Sequence, residues 1–209
     1  MTTLALAAAP PKVRANGLAY QLSLAVIGSV LLAGLAQLQI QLPFTPVPIT
    51  GQTLGVLLIG ASLGAAFGSL SIGLYLLYAV LGFHVLAPDA EGAYATGWEI
   101  FTLAQATGGY LIGFLLAGAL VGWLSRRGWD RSASSAIGAM FLGSVMIYLV
   151  GVPWLLASVR AGGFPYTLND ALTDGLYPFV IGDTIKLLIA AGLLPLAWKL
   201  ARRNDEPTA

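Results

Sequence analysis

Cysteine is absent from this 209-residue chain, which excludes a disulfide framework, a thiolate nucleophile and a thiolate metal ligand. Histidine occurs once, as His84, so a zinc helix with paired histidines has no counterpart and a Ser-His-Asp triad would have to use that one residue. Charged residues are scarce, at 9% against about a quarter in soluble proteins. No basic run with interleaved aromatics is found, so nucleic acid is not an expected partner. A Gly-x-x-x-x-Gly-Lys-Ser/Thr stretch is also missing, and the chain cannot cradle ATP phosphates by itself. No catalytic residue, metal ligand or cofactor site is assigned, and the chain is not expected to be an enzyme.

What is present is apolar. With 57% hydrophobic residues and a mean hydropathy of +0.83, the chain is expected to be an integral, all-α polytopic membrane protein. A spanning helix takes about 20 apolar residues. On that measure the sequence divides into six membrane segments, near 19–38, 52–62, 65–82, 105–124, 134–158 and 177–200. The expected organisation is an N-terminal tail (1–18), a six-helix membrane domain (19–201) and a C-terminal tail (202–209). At ~1.5 Å per residue the second segment is too short to cross a ~30 Å hydrocarbon core alone. Pro43, Pro46 and Pro48 precede it and Gly64 and Gly68 follow it, so residues 39–52 are expected to form part of a cavity rim. No repeat relates the two halves of the chain.

Loop charges set an orientation. With the N-terminus cytoplasmic, Lys12, Arg14, Arg126, Arg127, Arg131, Lys199, Arg202 and Arg203 all fall inside and only Arg160 lies in an outer loop. Both termini are therefore expected in the cytoplasm. The outer connections, 83–104 and 159–176, carry Asp89, Glu91, Glu99, Asp170 and Asp174. They are the longest loops, and long structured loops over a bundle are often lids.

Asp183 and Lys186 stand three residues apart in the last apolar segment. A charge at mid-bilayer costs about 2.5–3.5 kcal/mol even on the lenient insertion scale, so such residues face a protein interior or a cavity. Three residues apart on a helix they share a face, can neutralise each other and can address one solute. The alternative is an ion pair that only joins helices. On the first segment, Ala25, Ser29 and Ala33 recur every four residues, a spacing that lets another helix approach closely, either within the bundle or from a separate subunit.

Three stretches carry a family resemblance: Gln39-Ile-Gln-Leu-Pro-Phe-Thr-Pro-Val-Pro-Ile-Thr-Gly-Gln-Thr-Leu, Ala106-Thr-Gly-Gly-Tyr-Leu-Ile-Gly-Phe and Tyr177-Pro-Phe-Val-Ile-Gly-Asp-Thr-Ile-Lys. They resemble the signature segments of the BioY family, the biotin-specific substrate-binding S components of energy-coupling-factor (ECF) vitamin transporters. The likeness runs in matching order from about residue 19 to 200. Ala106 stands where the family usually has proline, and the loop 83–104 is longer and more acidic than the Gly-rich family version.

The resemblance implies a six-helix bundle of the ECF S-component type in a bacterial or archaeal cytoplasmic membrane, which captures biotin from the outer side. It implies two kinds of partner, a transmembrane coupling protein and a pair of ATPases, with Ala25, Ser29 and Ala33 as docking positions; a homo-oligomer is left open. For the ligand, Asp183 would accept from the ureido N–H groups while Lys186 balances its charge or donates to the ureido carbonyl. Gln52 and Thr53 would complete the polar set, Gly108 and Gly109 would let backbone approach the ligand, and Tyr110 with Phe44 or Trp98 would cover the ring system. Two rival readings are an assembly subunit without ligand and an intramembrane aspartyl hydrolase. The latter needs two carboxylates sharing a proton, and Asp183 is the only acidic residue placed in a membrane segment.

Overall fold

The computed structural model describes residues 3–9, 17–89 and 91–203. Helices α1 (Leu4–Ala7), α2 (Gly17–Gln37), α3 (Gln52–Val80), α4 (Gly108–Arg126), α5 (Ala133–Ala161), α6 (Leu168–Gly175) and α7 (Tyr177–Arg203) follow one another along the chain. A short antiparallel ladder pairs β1 (Gln39–Ile40) with β2 (Ile49–Thr50), in the register Gln39 opposite Thr50. The Pro-rich turn 41–48 closes this ladder, since proline lacks the N–H a helix would need there.

Five of these helices are long and apolar enough to cross a membrane, where six separate segments were expected. The difference arises at Gly64. Residues 52–63 and 65–80 form one helical stretch interrupted at that residue, which has φ 77° and ψ 176°, a backbone conformation essentially confined to glycine. Eight residues of straight helix would separate Gly60 from Gly68 by about 12 Å. Instead, a Cβ at Gly68 would lie 2.9 Å from the Gly60 Cα, so the chain folds back on itself into a helical hairpin. The Gln52 amide donates to the Tyr75 hydroxyl at 2.6 Å, which ties the open ends of the two arms together.

The hairpin is the centre of the bundle. It packs against α2 on one side and α4 on another, α5 packs on α4, and α7 lies across α5 and α3. Leu57, Ala61, Val121, Met140, Leu187, Ala190 and Leu194 fill one apolar layer, and Leu32, Val56, Ile72, Tyr110, Phe114 and Ile147 fill a second. Large apolar residues such as Ile27, Leu149, Ile181 and Ile185 are exposed on outward faces, the distribution a lipid-facing belt requires. Arg131 lies over the Trp198 ring at 5.0 Å, so the α4–α5 turn and the last turns of α7 share one end of the molecule.

The small-residue face of α2 is covered from within. Ala25 and Ser29 are fully buried, Ala33 packs against the core, and Ser29 donates to Val26 O and lies 3.4 Å from the Tyr78 hydroxyl. A Cβ at Gly28 would meet Ser71 Oγ at 2.5 Å, which shows how closely α2 approaches the hairpin. Within this chain Ala25 and Ser29 serve helix packing, whereas Ala33 is half-buried. Ala25→Trp is expected to lower the thermal stability of the isolated protein in detergent by an overpacking penalty of about 1–3 kcal/mol or more. Val30→Trp, on the exposed face of the same helix, is expected to leave the melting temperature unchanged.

Residues 3–9 are not a detached tail, since Leu4 and Ala9 are buried and α1 packs near α7 and α3. Lys12, Arg14 and the C-terminal residues 204–209 lie outside the described residues. The second outer loop contains α6, started by a capping box in which the Thr167 hydroxyl accepts from Asp170 N and the Asp170 carboxylate accepts from Thr167 N. The Thr167 hydroxyl and backbone N–H hold the Asp170 carboxyl below the usual carboxylate range.

Candidate functional site

Asp183 lies six residues into α7, about 9 Å down the helix from its first residue. Its carboxylate is buried, and three groups from three helices converge on it. Lys186 Nζ donates to Oδ1 at 2.8 Å, Thr53 Oγ1 lies 3.1 Å from the same oxygen, and the Tyr148 hydroxyl donates to Oδ2 at 2.5 Å. Lys186 Nζ also reaches Thr53 Oγ1 at 3.1 Å. The first turn of α3 supplies Thr53 because the Gln39–Thr50 ladder ends directly before it; α5 supplies Tyr148 from the facing side. Both charges are thus neutralised and hydrogen-bonded, the condition under which a buried ion pair is tolerated.

These groups form the floor of a cavity of about 330 Å³, within the size range of small-molecule sites. One wall is the Pro-rich turn, through Pro46, Val47 and Pro48, and another is α4, through Tyr110, Leu111 and Phe114. Leu86 to Asp89 and Ala93 to Ala95 of the first outer loop and Ala104 to Thr107 line its outer part. The loop is tied down: Gln37 Nε2 donates to Leu86 O at 3.1 Å, the Tyr94 hydroxyl donates to Gln37 Oε1 at 3.0 Å, and His84 stacks on Tyr94 with ring centres 4.9 Å apart. Trp154 Nε1 donates to Gln105 O at 2.8 Å and Ser158 Oγ to Leu103 O at 2.7 Å, fixing the approach to α4. Tyr110 stands edge-on to Tyr148 and donates to Gly175 O at 2.8 Å, so its ring is held upright as a wall.

Of the residues singled out in the sequence, Gln52, Thr53, Tyr110, Asp183 and Lys186 line this one cavity. Phe44 and Trp98 do not: they are 59% and 70% exposed, and Trp98 packs against Phe101 on the surface. Gly108 and Gly109 are buried behind the wall, where a Cβ at Gly108 would meet Ile100 O at 2.5 Å and one at Gly109 would collide with Trp154, so they serve packing of α4 on α5. Tyr148 and Thr50, which also line the cavity, and Tyr75, which holds Gln52, were not singled out. Tyr148 and Tyr75 each place a hydroxyl in an apolar helix away from its ends, a signal of the same kind as a buried charge but weaker.

Among the described residues no cluster of three or more His, Cys, Asp or Glu could hold a metal ion. What the floor offers is hydrogen bonding. A carboxylate has about four lone-pair sites and an ammonium three donors. Asp183 has accepted three bonds and Lys186 has given two, which leaves one acceptor and one donor side by side. That is the complement of an amide-like or urea-like edge.

Comparison with known proteins adds a lineage to this chemistry. A sequence profile described as the BioY family matches residues 7–203. The biotin transporter BioY of Rhizobium etli is 33% identical over 159 residues, spanning 73% of this chain and 78% of that protein. The corresponding protein of Thermotoga maritima is 34% identical over 152 residues, spanning 73% and 81%. A crystal structure of the S component for biotin from an ECF-type ABC transporter superposes with a TM-score of 0.73 at 26% identity, covering 88% of this chain and 93% of that one. Profile, relatives and superposed structure agree over most of the chain, cavity-lining helices included: this protein belongs to the BioY family.

Proposed function

We propose that this protein is a biotin-binding S component, a transporter subunit and not an enzyme, that mediates biotin uptake across the cytoplasmic membrane together with an ECF energising module. The observation that carries this reading is the Asp183, Lys186, Thr53 and Tyr148 cluster on the floor of a cavity of ligand size, in a chain of this family. Biotin presents a cyclic urea with N–H donors beside a carbonyl acceptor, on an apolar bicyclic body. The remaining acceptor of Asp183 matches a ureido N–H, the remaining donor of Lys186 matches the carbonyl, and Tyr110, Leu111 and Phe114 match the apolar rings. Coupling to the energising module must use outward-facing residues, because Ala25 and Ser29 are buried. Counting the two arms of the Gly64 hairpin separately, we read the bundle as six membrane segments.

Titration of the purified protein with biotin is expected to give saturable binding. A folded protein that binds no biotin overturns the proposal and returns the chain to the assembly-subunit reading. The aspartyl hydrolase reading has no support in the geometry, since Asp183 is held by an ammonium and two hydroxyls and not by a second carboxylate.

We also place both termini and the α4–α5 turn in the cytoplasm and the cavity toward the outside. Arg126, Arg127, Arg131 and Lys199 gather at the end of the bundle opposite the cavity, in line with the positive-inside rule. The chain has no cysteine of its own, so single cysteines report without background. Ala93→Cys is expected to react with an impermeant thiol reagent on intact cells and Ser134→Cys only after permeabilisation; the opposite pattern inverts the topology.

A further inference from the structure

We infer that the cavity accepts biotin whose tail carboxyl is amidated, including N-(5-aminopentyl)biotinamide, at least as well as the free acid, with Asp89 at the rim setting this preference. The inference rests on the biotin reading above and adds to it the chemistry of the ligand's tail.

With the bicyclic body on the Asp183 floor, the tail points to the outer rim. Among the described residues no cation receives it there. Among the described residues Lys186 is the only Lys or Arg lining the cavity, and it bonds to Asp183 and Thr53 at the opposite end. The rim-forming stretches 38–51, 81–107 and 162–176 contain no Lys or Arg at all. Arg160, the one outer-loop cation, is exposed, donates its Nε–H to Tyr166 O at 2.7 Å and lines neither this cavity nor its neighbour.

In place of a cation the rim carries a carboxylate. Asp89 lines the cavity, and its Oδ1 accepts from the backbone N–H groups of Glu91 and Ala93 at 2.9 and 2.8 Å, which fixes the side chain in the loop and leaves Oδ2 for another donor. A free carboxylate tail would face Asp89 as a like charge, whereas an amide tail brings an N–H donor and the amide of 1,5-diaminopentane brings an ammonium with no carboxylate beside it.

A longer tail also has a path. A second hollow, between the 103–104 segment, the end of α5 and the second outer loop, shares Pro46 and Ala104 with the main cavity. It is lined by Val159 and Phe164 and by Asp174, whose Oδ2 already accepts from the Tyr166 hydroxyl at 2.6 Å. An aliphatic tail that ends in an ammonium fits this apolar trough with an acidic end.

The test is a set of titrations of the full-length protein at low ionic strength with biotin, the primary amide of biotin and N-(5-aminopentyl)biotinamide. Both amides are expected to bind as tightly as biotin or tighter, with a margin of about two- to fivefold for the cationic tail, the worth of one rim charge. Biotin binding more than about tenfold tighter than both amides overturns the inference while leaving the biotin reading intact. Failure of all three ligands to bind a folded protein removes the biotin reading and the inference with it. Asp89→Asn keeps the Oδ1 acceptor and the loop turn, and is expected to shift the ratio of the N-(5-aminopentyl)biotinamide to the biotin affinity toward the free acid by about two- to fivefold, an effect that fades in salt. An unchanged ratio removes Asp89 from the explanation and overturns its assignment.

Discussion

Asp183→Asn and Lys186→Met are each expected to weaken biotin binding by about 2–5 kcal/mol, which is roughly thirtyfold to several-thousandfold in Kd. Each substitution removes a ligand contact and also strands the remaining charge, because the pair is mutually neutralised at 2.8 Å within a buried cluster. The two losses therefore overlap. The double variant is expected to bind no more weakly than the product of the single effects would imply, and to fold better than either single variant, since it leaves no unpaired charge. Tyr148→Phe is a milder change: Asp183 keeps Lys186 and Thr53 but loses the donor on Oδ2. A loss of about tenfold is expected there, the worth of one hydrogen bond to a charged group. Wild-type affinity in both charge variants, with folding confirmed by their thermal transitions, would falsify the site.

The parts of the site visible in the sequence are those that break a rule of the membrane environment. Asp183 and Lys186 stand out because ionised groups in an apolar run need a reason. The short segment after the prolines and the long acidic loop were legible for similar reasons, and both border the cavity. Tyr148 was not, because a tyrosine in a membrane protein is ordinarily read as an interfacial anchor and only the fold shows its hydroxyl beside Asp183. Phe44 and Trp98 mark the converse limit. Neighbouring positions in one loop can point to opposite sides, and both rings lie on the surface although they flank cavity-lining stretches.

Small residues gave the least specific signal. The Ala25, Ser29 and Ala33 spacing announces a close helix contact and does not name the partner; Ala25 and Ser29 pack within this chain, beside Gly28, which approaches its hairpin closely. Gly108 and Gly109 behave likewise, with Trp154 as the neighbour that claims their space. The fold as a whole was more legible than its count of segments. The apolar runs sit where helices form, whereas the reversal at Gly64 depends on a single backbone conformation that no hydrophobic pattern encodes.

The same reversal yields the largest expected effect on stability. Gly60, Gly64 and Gly68 recur every four residues on the hairpin, and Gly118 and Gly122 do so on α4. A Cβ at Gly60 would lie 2.7 Å from Gly118 O, and one at Gly122 would collide with the Gly64–Ala65 peptide. Two backbones are in contact here, and neither can rotate away as a side chain could. Packing of this kind is what holds helices together in lipid, where apolar burial gives no preference for protein over acyl chain. Gly122→Ala must therefore separate α4 from the bend at Gly64, and Gly64→Ala adds a Cβ at a backbone conformation that costs about 1–3 kcal/mol for any other residue. Gly122→Leu is expected to exceed both, because it forces the whole α3–α4 contact apart along with the Thr53 and Tyr110 walls that this contact positions. The measurement is the melting temperature in detergent with and without biotin. Wild type is expected to gain stability on adding ligand by mass action. Gly122→Ala should melt lower yet retain the ligand-dependent gain, and Gly122→Leu should lose both. A Gly122→Leu protein that melts like wild type would show that the glycine seam is not what holds the hairpin to α4.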